Sequence, residues 1–238
     1  MKTFKLLILA SFALLTGVTS CVKDSVMGNG NLASEERISA SFKKVHSAGE
    51  FDVYITQGDN YEVVISAEEN VIPFIETSFR NGVLTVETET LTSIRNTLPM
   101  EIFITTPNLE GIKLSGSGLI STDFFDCDKM DILLSGSGRI NTTVSTNKVE
   151  ALVSGSGVID LSGTTTDADF GISGSGKIKA SDLAVVHCNT ATSGSGDMWV
   201  SVDNTLKAHI SGSGNVFYYG SPDVETHISG SGNVIDYN

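Results

Sequence analysis

The chain has 238 residues, of which 28 are acidic and 15 basic, for a formal net charge of −13. Such a charge repels phosphate backbones and anionic membrane surfaces, which excludes nucleic acid as a partner and leaves any membrane attachment to something other than surface charge.

The first stretch reads as an export signal. Lys2 and Lys5 give it a basic start, and Leu6 to Leu15 form an apolar run too short to span a bilayer. The run ends in Val18-Thr19-Ser20-Cys21, which resembles the lipobox of bacterial lipoproteins. The resemblance implies cleavage before Cys21 and diacylation of its thiol, an anchor that holds a protein to a membrane without crossing it. Losing residues 1–20 removes two lysines and no acid, taking the charge from −13 to −15. Residues 21–33, small, polar and glycine-containing, read as a lipid-anchored tether.

Residues 34–110 carry strand signals. Phe51 to Thr56 and Tyr61 to Ser66 alternate apolar and polar residues around a turn at Gln57-Gly58-Asp59-Asn60. Glu68 to Glu76, which contains Pro73, fits one or two helical turns. Asn81-Gly82 before Val83-Leu84-Thr85-Val86 is a turn-then-strand signal, and Met100 to Thr105 is a further strand closed by Pro107. This segment is expected to form irregular coils or a cap on the repeats that follow.

Those repeats are marked by seven copies of Ser-Gly-Ser-Gly, starting at Ser115, Ser135, Ser154, Ser173, Ser193, Ser211 and Ser229, with steps of 20, 19, 19, 20, 18 and 18 residues. A fixed period near 19 signals a stacked architecture. With the first Ser as position zero, position −1 runs Leu114, Leu134, Val153, Ile172, Thr192, Ile210, Ile228. Position +5 runs Ile120, Ile140, Ile159, Ile178, Met198, Val216, Val234. Apolar residues alternate with polar ones on both sides of the word, the period-2 mark of half-buried strands. A coil of this kind buries its inner face only by stacking on the next, at ~4.8 Å per coil. The expected fold is all-β: a parallel β-solenoid (a β-helix, right-handed favoured) of about 19 residues per coil. The glycines supply the corner's positive φ and close coil-to-coil approach, and the serines are expected to bond the corner backbone or one another in an internal ladder.

The outward columns hold the candidate chemistry. Position −4 places Asp131, Glu150 and Asp169 in successive coils, ~5 Å apart. That is a weak cation or acid-pair candidate, better read as a solvated face balanced by Lys129 and Lys148. His209 and His227 share position −2, a weak metal pair without a third ligand; His46 and His187 fall in other columns. Cys127 and Cys188 sit three coils apart, ~14 Å, too far for a disulfide. Position +6 ends in Trp199, Phe217 and Ile235, and position +8 in Tyr219 and Tyr237. With +5 inward these face outward and form a candidate interaction patch; a one-residue register shift would bury them instead.

The lipobox, the Phe51-Asp-Val-Tyr-Ile-Thr-Gln-Gly-Asp segment, the Asn81-Gly82-Val-Leu-Thr-Val segment and the serial Ser-Gly-Ser-Gly words together resemble the putative autotransporter adhesin head domain (GIN domain) family, common in Bacteroidetes cell envelopes. The resemblance spans nearly all of the chain after Ser20. It implies a β-solenoid loosely similar to pectin-lyase-type helices, an adhesion role, no established catalytic site, and no agreed functional residues. The expectation is therefore a single solenoid domain over 34–238, with irregular coils or a cap over 34–110 and seven regular repeats over 111–238. It belongs to an exported outer-membrane or cell-surface lipoprotein that binds a host or envelope glycan or protein, or its own kind, touches membrane through its lipid anchor only, uses no cofactor and is not an enzyme. Two alternatives remain: a polysaccharide-active enzyme, whose mark would be a groove holding two or three acids with a basic neighbour, and a self-associating envelope scaffold.

Overall fold

The computed structural model describes residues 24–90 and 92–238; the export signal and Cys21 lie outside the described residues. In chain order the strands are β1 (Asp24–Met27), β2 (Leu32–Arg37), β3 (Lys44–Gly49), β4 (Asp52–Gln57), β5 (Glu62–Glu68), β6 (Ile75–Arg80), β7 (Val83–Thr88), β8 (Thr92–Arg95) and β9 (Glu101–Thr106). The repeats supply β10 (Gly111–Gly116), β11 (Leu119–Gly136), β12 (Arg139–Gly155), β13 (Val158–Gly174), β14 (Lys177–Gly194), β15 (Asp197–Gly212), β16 (Asn215–Tyr219), β17 (Asp223–Gly230) and β18 (Asn233–Asp236).

The repeat columns become the core of a parallel β-solenoid. Ile120, Ile140, Ile159, Ile178, Met198, Val216 and Val234 are register partners from coil to coil, and all but Val234 are fully buried. The first glycine of each word takes positive φ, +123° at both Gly136 and Gly155. A Cβ on Gly155 would stand 2.5 Å from the Gly136 carbonyl oxygen. That approach is needed because the same carbonyl accepts the Ser156 and Gly157 N–H groups at 2.9 and 3.0 Å, so the corner backbone is what stitches one coil to the next. With both glycines turned toward the neighbouring coils, the serines point out. The expected internal serine ladder does not form among the described residues: Ser115 bonds His46 Nε2 at 3.0 Å, and the corner serines from Ser135 onward are exposed. Differences in coil length are absorbed at the second corner, where the pairing shifts between Ser121 and Phe124, Asp160 and Ser162, and Ala180 and Ala184.

Below the first repeat lies an eighth coil. β3 pairs with β10 and β4 with β11, setting Gly49 under Gly116 and Val53 under Ile120. β7 and β9 form one more parallel layer beneath β3 and β4. Then the direction reverses: β6 runs antiparallel to β7, β5 to β9, and β2 to β5. The β6–β7 reversal is the Asn81-Gly82 turn, with φ of +52° and +74°, as a two-residue hairpin requires. The stretch with Pro73 makes a single 3₁₀ turn, Ile72–Phe74. Phe42, Phe51, Val71, Ile72, Ile75 and Leu109 close the core at this end.

The tether expected over 21–33 is partly sheet. β1 pairs parallel with β8, and β2 begins at Leu32. The cause is the buried Glu68 carboxylate, which accepts Gly30 N–H at 2.7 Å, Thr97 N–H at 2.9 Å and Thr97 Oγ1–H at 2.7 Å. Burial pushes its pKa up, but the bonds from Thr97, Gly30 and Leu98 more than reverse this and hold it below the ordinary carboxylate value. Gly28 has no room for a Cβ against that carboxylate. Asn70 adds to this hold, accepting Asn29 N–H at 3.0 Å and donating to the Met27 carbonyl at 2.8 Å, so a polar, glycine-containing segment is ordered by side chains far along the chain.

Candidate functional site

The +6 column faces outward. Trp199, Phe217 and Ile235 are register partners on β15, β16 and β18. The Trp199 and Phe217 rings stack at 5.2 Å and 10°. Tyr237 meets Phe217 edge-on at 5.4 Å and Tyr219 at 5.5 Å, so the four rings form one connected surface with Ile235 in register beside Phe217. Trp199, Phe217, Tyr219 and Ile235 are half-buried, and Tyr237 is 53% exposed. Stacked and edge-on contacts of this kind hold the rings in fixed mutual orientations. Lower on the same column the character is ionic: Asp160 takes Arg139 at 2.8 Å and Lys179 at 3.7 Å.

The acidic column is knitted to lysines. Asp131 is bridged by Lys129 at 2.8 Å and Lys44 at 2.9 Å, Glu150 by Lys148 at 2.9 Å and Lys129 at 3.3 Å, and Asp169 by Lys148 at 2.8 Å. Burial raises the Asp131 pKa, but hydrogen bonds from Lys129 and Lys44 win and leave it low. Bonds from Lys148 depress Glu150 and Asp169, and the ammonium groups of Lys129 and Lys148 are raised in turn. These carboxylates are held ionised, the reverse of what a general acid for glycoside cleavage needs. Among the described residues no three His, Cys, Asp or Glu side chains converge as a metal site. Cys188 is buried, which pushes its thiol up, and Cys127 is half-buried.

His209 and His227 are register partners with rings 5.8 Å apart, and they take part in something the sequence reading missed. The −2 column forms the floor of a trough of about 610 Å³, bounded by Leu133 and Leu152 at one end and the two histidines at the other, with Gly171 and Ala191 between. Leu133 is 36% and Leu152 50% exposed. From Leu133 to His227 the trough crosses five coil steps, about 24 Å. The signal was available, since two leucines, a glycine and an alanine in successive outward positions leave an apolar hollow. A second, polar hollow of about 510 Å³ on another face holds Asp160, Asp182 and Lys179 among Ser, Thr and Asn side chains. Its Asp160 is the acid already engaged by Arg139 and Lys179.

No helix among the described residues is long and apolar enough to cross a membrane. The fold is shared with solved structures. A putative adhesin from Bacteroides fragilis superposes with a TM-score of 0.84 at 24% identity, over 88% of this chain and 99% of that one. A putative adhesin from Parabacteroides merdae gives 0.74 at 25% identity, over 90% and 100%. A protein from Parabacteroides distasonis named a putative lipid binding protein gives 0.72 at 22% identity, over 90% and 100%. These names are of adhesins or of a lipid binder, not of enzymes. No curated protein matches the chain. Residues 41–222 of the chain match a family model, and the chain belongs to that family, described as "Putative auto-transporter adhesin, head GIN domain".

Proposed function

We propose that this chain is a surface or envelope lipoprotein, anchored through Cys21, whose solenoid is a non-enzymatic adhesion module that binds a glycan or protein ligand through the Trp199–Phe217–Ile235 ladder with Tyr219 and Tyr237. The observation that carries this reading is the ladder itself: four aromatic side chains from three coils linked by ring contacts, with Ile235 in register beside Phe217. Aromatic side chains presented rigidly give contact area at low entropic cost and are enriched at binding hot spots. The family's description as an adhesin head supports the same class of activity.

The test is a glycan and matrix-protein array probed with the purified chain and with the Trp199→Ser/Phe217→Ser double variant. The account expects the variant to keep its thermal midpoint within a few degrees and to lose roughly 30-fold in affinity for the array hit. Equal binding by both proteins would retire the ladder as the binding face. For the anchor, cells expressing the chain should incorporate labelled palmitate, and a Cys21→Ser variant should not.

The trough favours a second reading, an aliphatic ligand laid along the −2 column, and the Parabacteroides distasonis protein's name lends it support. Ala191→Trp would fill the middle of the trough. If a fluorescent fatty acid binds there, that variant releases it while the ladder double variant does not.

A further inference from the structure

At the end of the stack farthest from the cap, the inward columns come to the surface. Leu206, Ala208 and Ile210 of β15 are 0 to 2% exposed. Their partners on β17 are not: Val224 is half-buried, Thr226 is exposed and Ile228 is 43% exposed. One side of β17 pairs with β15, and its other side has no strand partner among the described residues. Residues 221–238 contain no lysine or arginine, the side chains that most often blunt an exposed sheet edge.

We propose that this edge is the docking surface for a second copy of the chain, joined end to end about a two-fold axis through Thr226, with the two β17 strands antiparallel. The register follows from the side chains. Centring on Thr226 lays Val224 over Ile228 of the second copy, apolar on apolar. It also sets Glu225 opposite His227 of the second copy, a carboxylate facing a hydrogen-bond donor. Centring on Glu225 would oppose two carboxylates, and centring on His227 would set Val224 against Gly230 and waste the apolar match. The backbone agrees. In the equivalent position of an earlier coil, Asp131 N–H donates back to Glu110 O at 3.0 Å. Glu225 therefore turns toward β15, and by alternation Val224, Thr226 and Ile228 turn their N–H and C=O groups to the free side. Residues paired across the axis are then the ones that can exchange backbone hydrogen bonds. A self-complementary patch of this kind closes on itself as a dimer and does not propagate into a fibre.

The chain purified without residues 1–20 and with Cys21→Ser, so that no lipid drives association, should move from monomer mass toward twice that mass in light scattering after size exclusion as its concentration rises. In a background of Cys21→Ser and Cys127→Ser, Thr226→Cys should form an inter-chain disulfide on mild oxidation, because facing Cα atoms in an antiparallel pair lie ~5.5 Å apart. Val224→Cys should not, because its counterpart lies four residues along the strand, ~13 Å away. Ile228→Lys, at a position already 43% exposed, should keep its circular dichroism melt and weaken dimerisation on the order of 30-fold or more. A chain that stays at monomer mass up to ~100 µM, well above the micromolar range in which such interfaces act, overturns the proposal. So does a dimer that cross-links equally at positions 224 and 226, or one that survives Ile228→Lys unchanged.

Discussion

At the capped end the stack stops because β6, β5 and β2 run antiparallel to their neighbours, while Phe42, Phe51 and Leu109 close the core. At the other end β17 and β18 are ordinary coil strands in ordinary register, and the core residues they carry are left at the surface. The same columns run through both ends. The repeat thus specifies how one coil sits on the next but contains no instruction to stop, and the stop at the capped end is written by non-repeating sequence. Matched substitutions at interior and terminal coils should therefore behave very differently.

The largest contrast should come from the corner glycines. Gly155→Ala places a Cβ against the Gly136 carbonyl at φ +123° with coils on both sides, and should cost on the order of 3 kcal/mol or more. Gly230→Ala meets the Gly212 carbonyl in the same way, but at concentrations where the chain is a monomer its coil is free to lift away. It should cost less than about 1 kcal/mol in urea melts and appear as fraying of β17 in hydrogen exchange. Next, Leu134→Ala, at a fully buried position of the −1 column, should cost about 2–5 kcal/mol, whereas Ile228→Ala at the exposed end of that column should stay within about 1 kcal/mol. Equal penalties at the two positions would mean that the terminal coil is as well packed as the interior.

The cap is probed through Glu68. Its carboxyl pKa is held below the ordinary 4.5, so its contribution is fully present above about that pH and disappears as pH falls through the lower folded value. Glu68→Gln should lower the thermal midpoint at pH 7, and the gap to the parent should close in acid, while β17 exchange stays the same. The smallest effect should come from Lys148→Met, which takes the lysine from Asp169 and leaves Glu150 with Lys129 alone on an exposed face. The shift in midpoint should be slight at low ionic strength and vanish at 1 M salt, where the Debye length is about 3 Å.

Much of this was visible in the residues. The Ile120–Ile140–Ile159–Ile178 column and the outward turn of Trp199 and Phe217 both follow from a period of two measured against a fixed word, and the structure places them accordingly. What escaped had no repeating mark. The coil under the first repeat carries Ala48-Gly49-Glu50-Phe51 where the word would stand, and the chain builds the cap before it returns to lay β10 on β3. Order in sequence and order in the stack differ there, and spacing carries no information about such a detour. Glu68 orders the supposed tether through bonds to Gly30 and Thr97, a contact between segments far apart in the chain. The trough went unseen for another reason. Its floor is defined by the smallness of Gly171 and Ala191 beside Leu152, residues with no titratable or aromatic group to mark them in the sequence.

The most direct test of the whole account is a methyl-labelled NOE spectrum of the isoleucine column. The stack predicts a chain of strong contacts, Ile120 to Ile140, Ile140 to Ile159 and Ile159 to Ile178, with no direct contact between Ile120 and Ile178 at three coil steps, about 14 Å. Isoleucine methyls that pair in any other order, or no contact between Ile140 and Ile159, would contradict it.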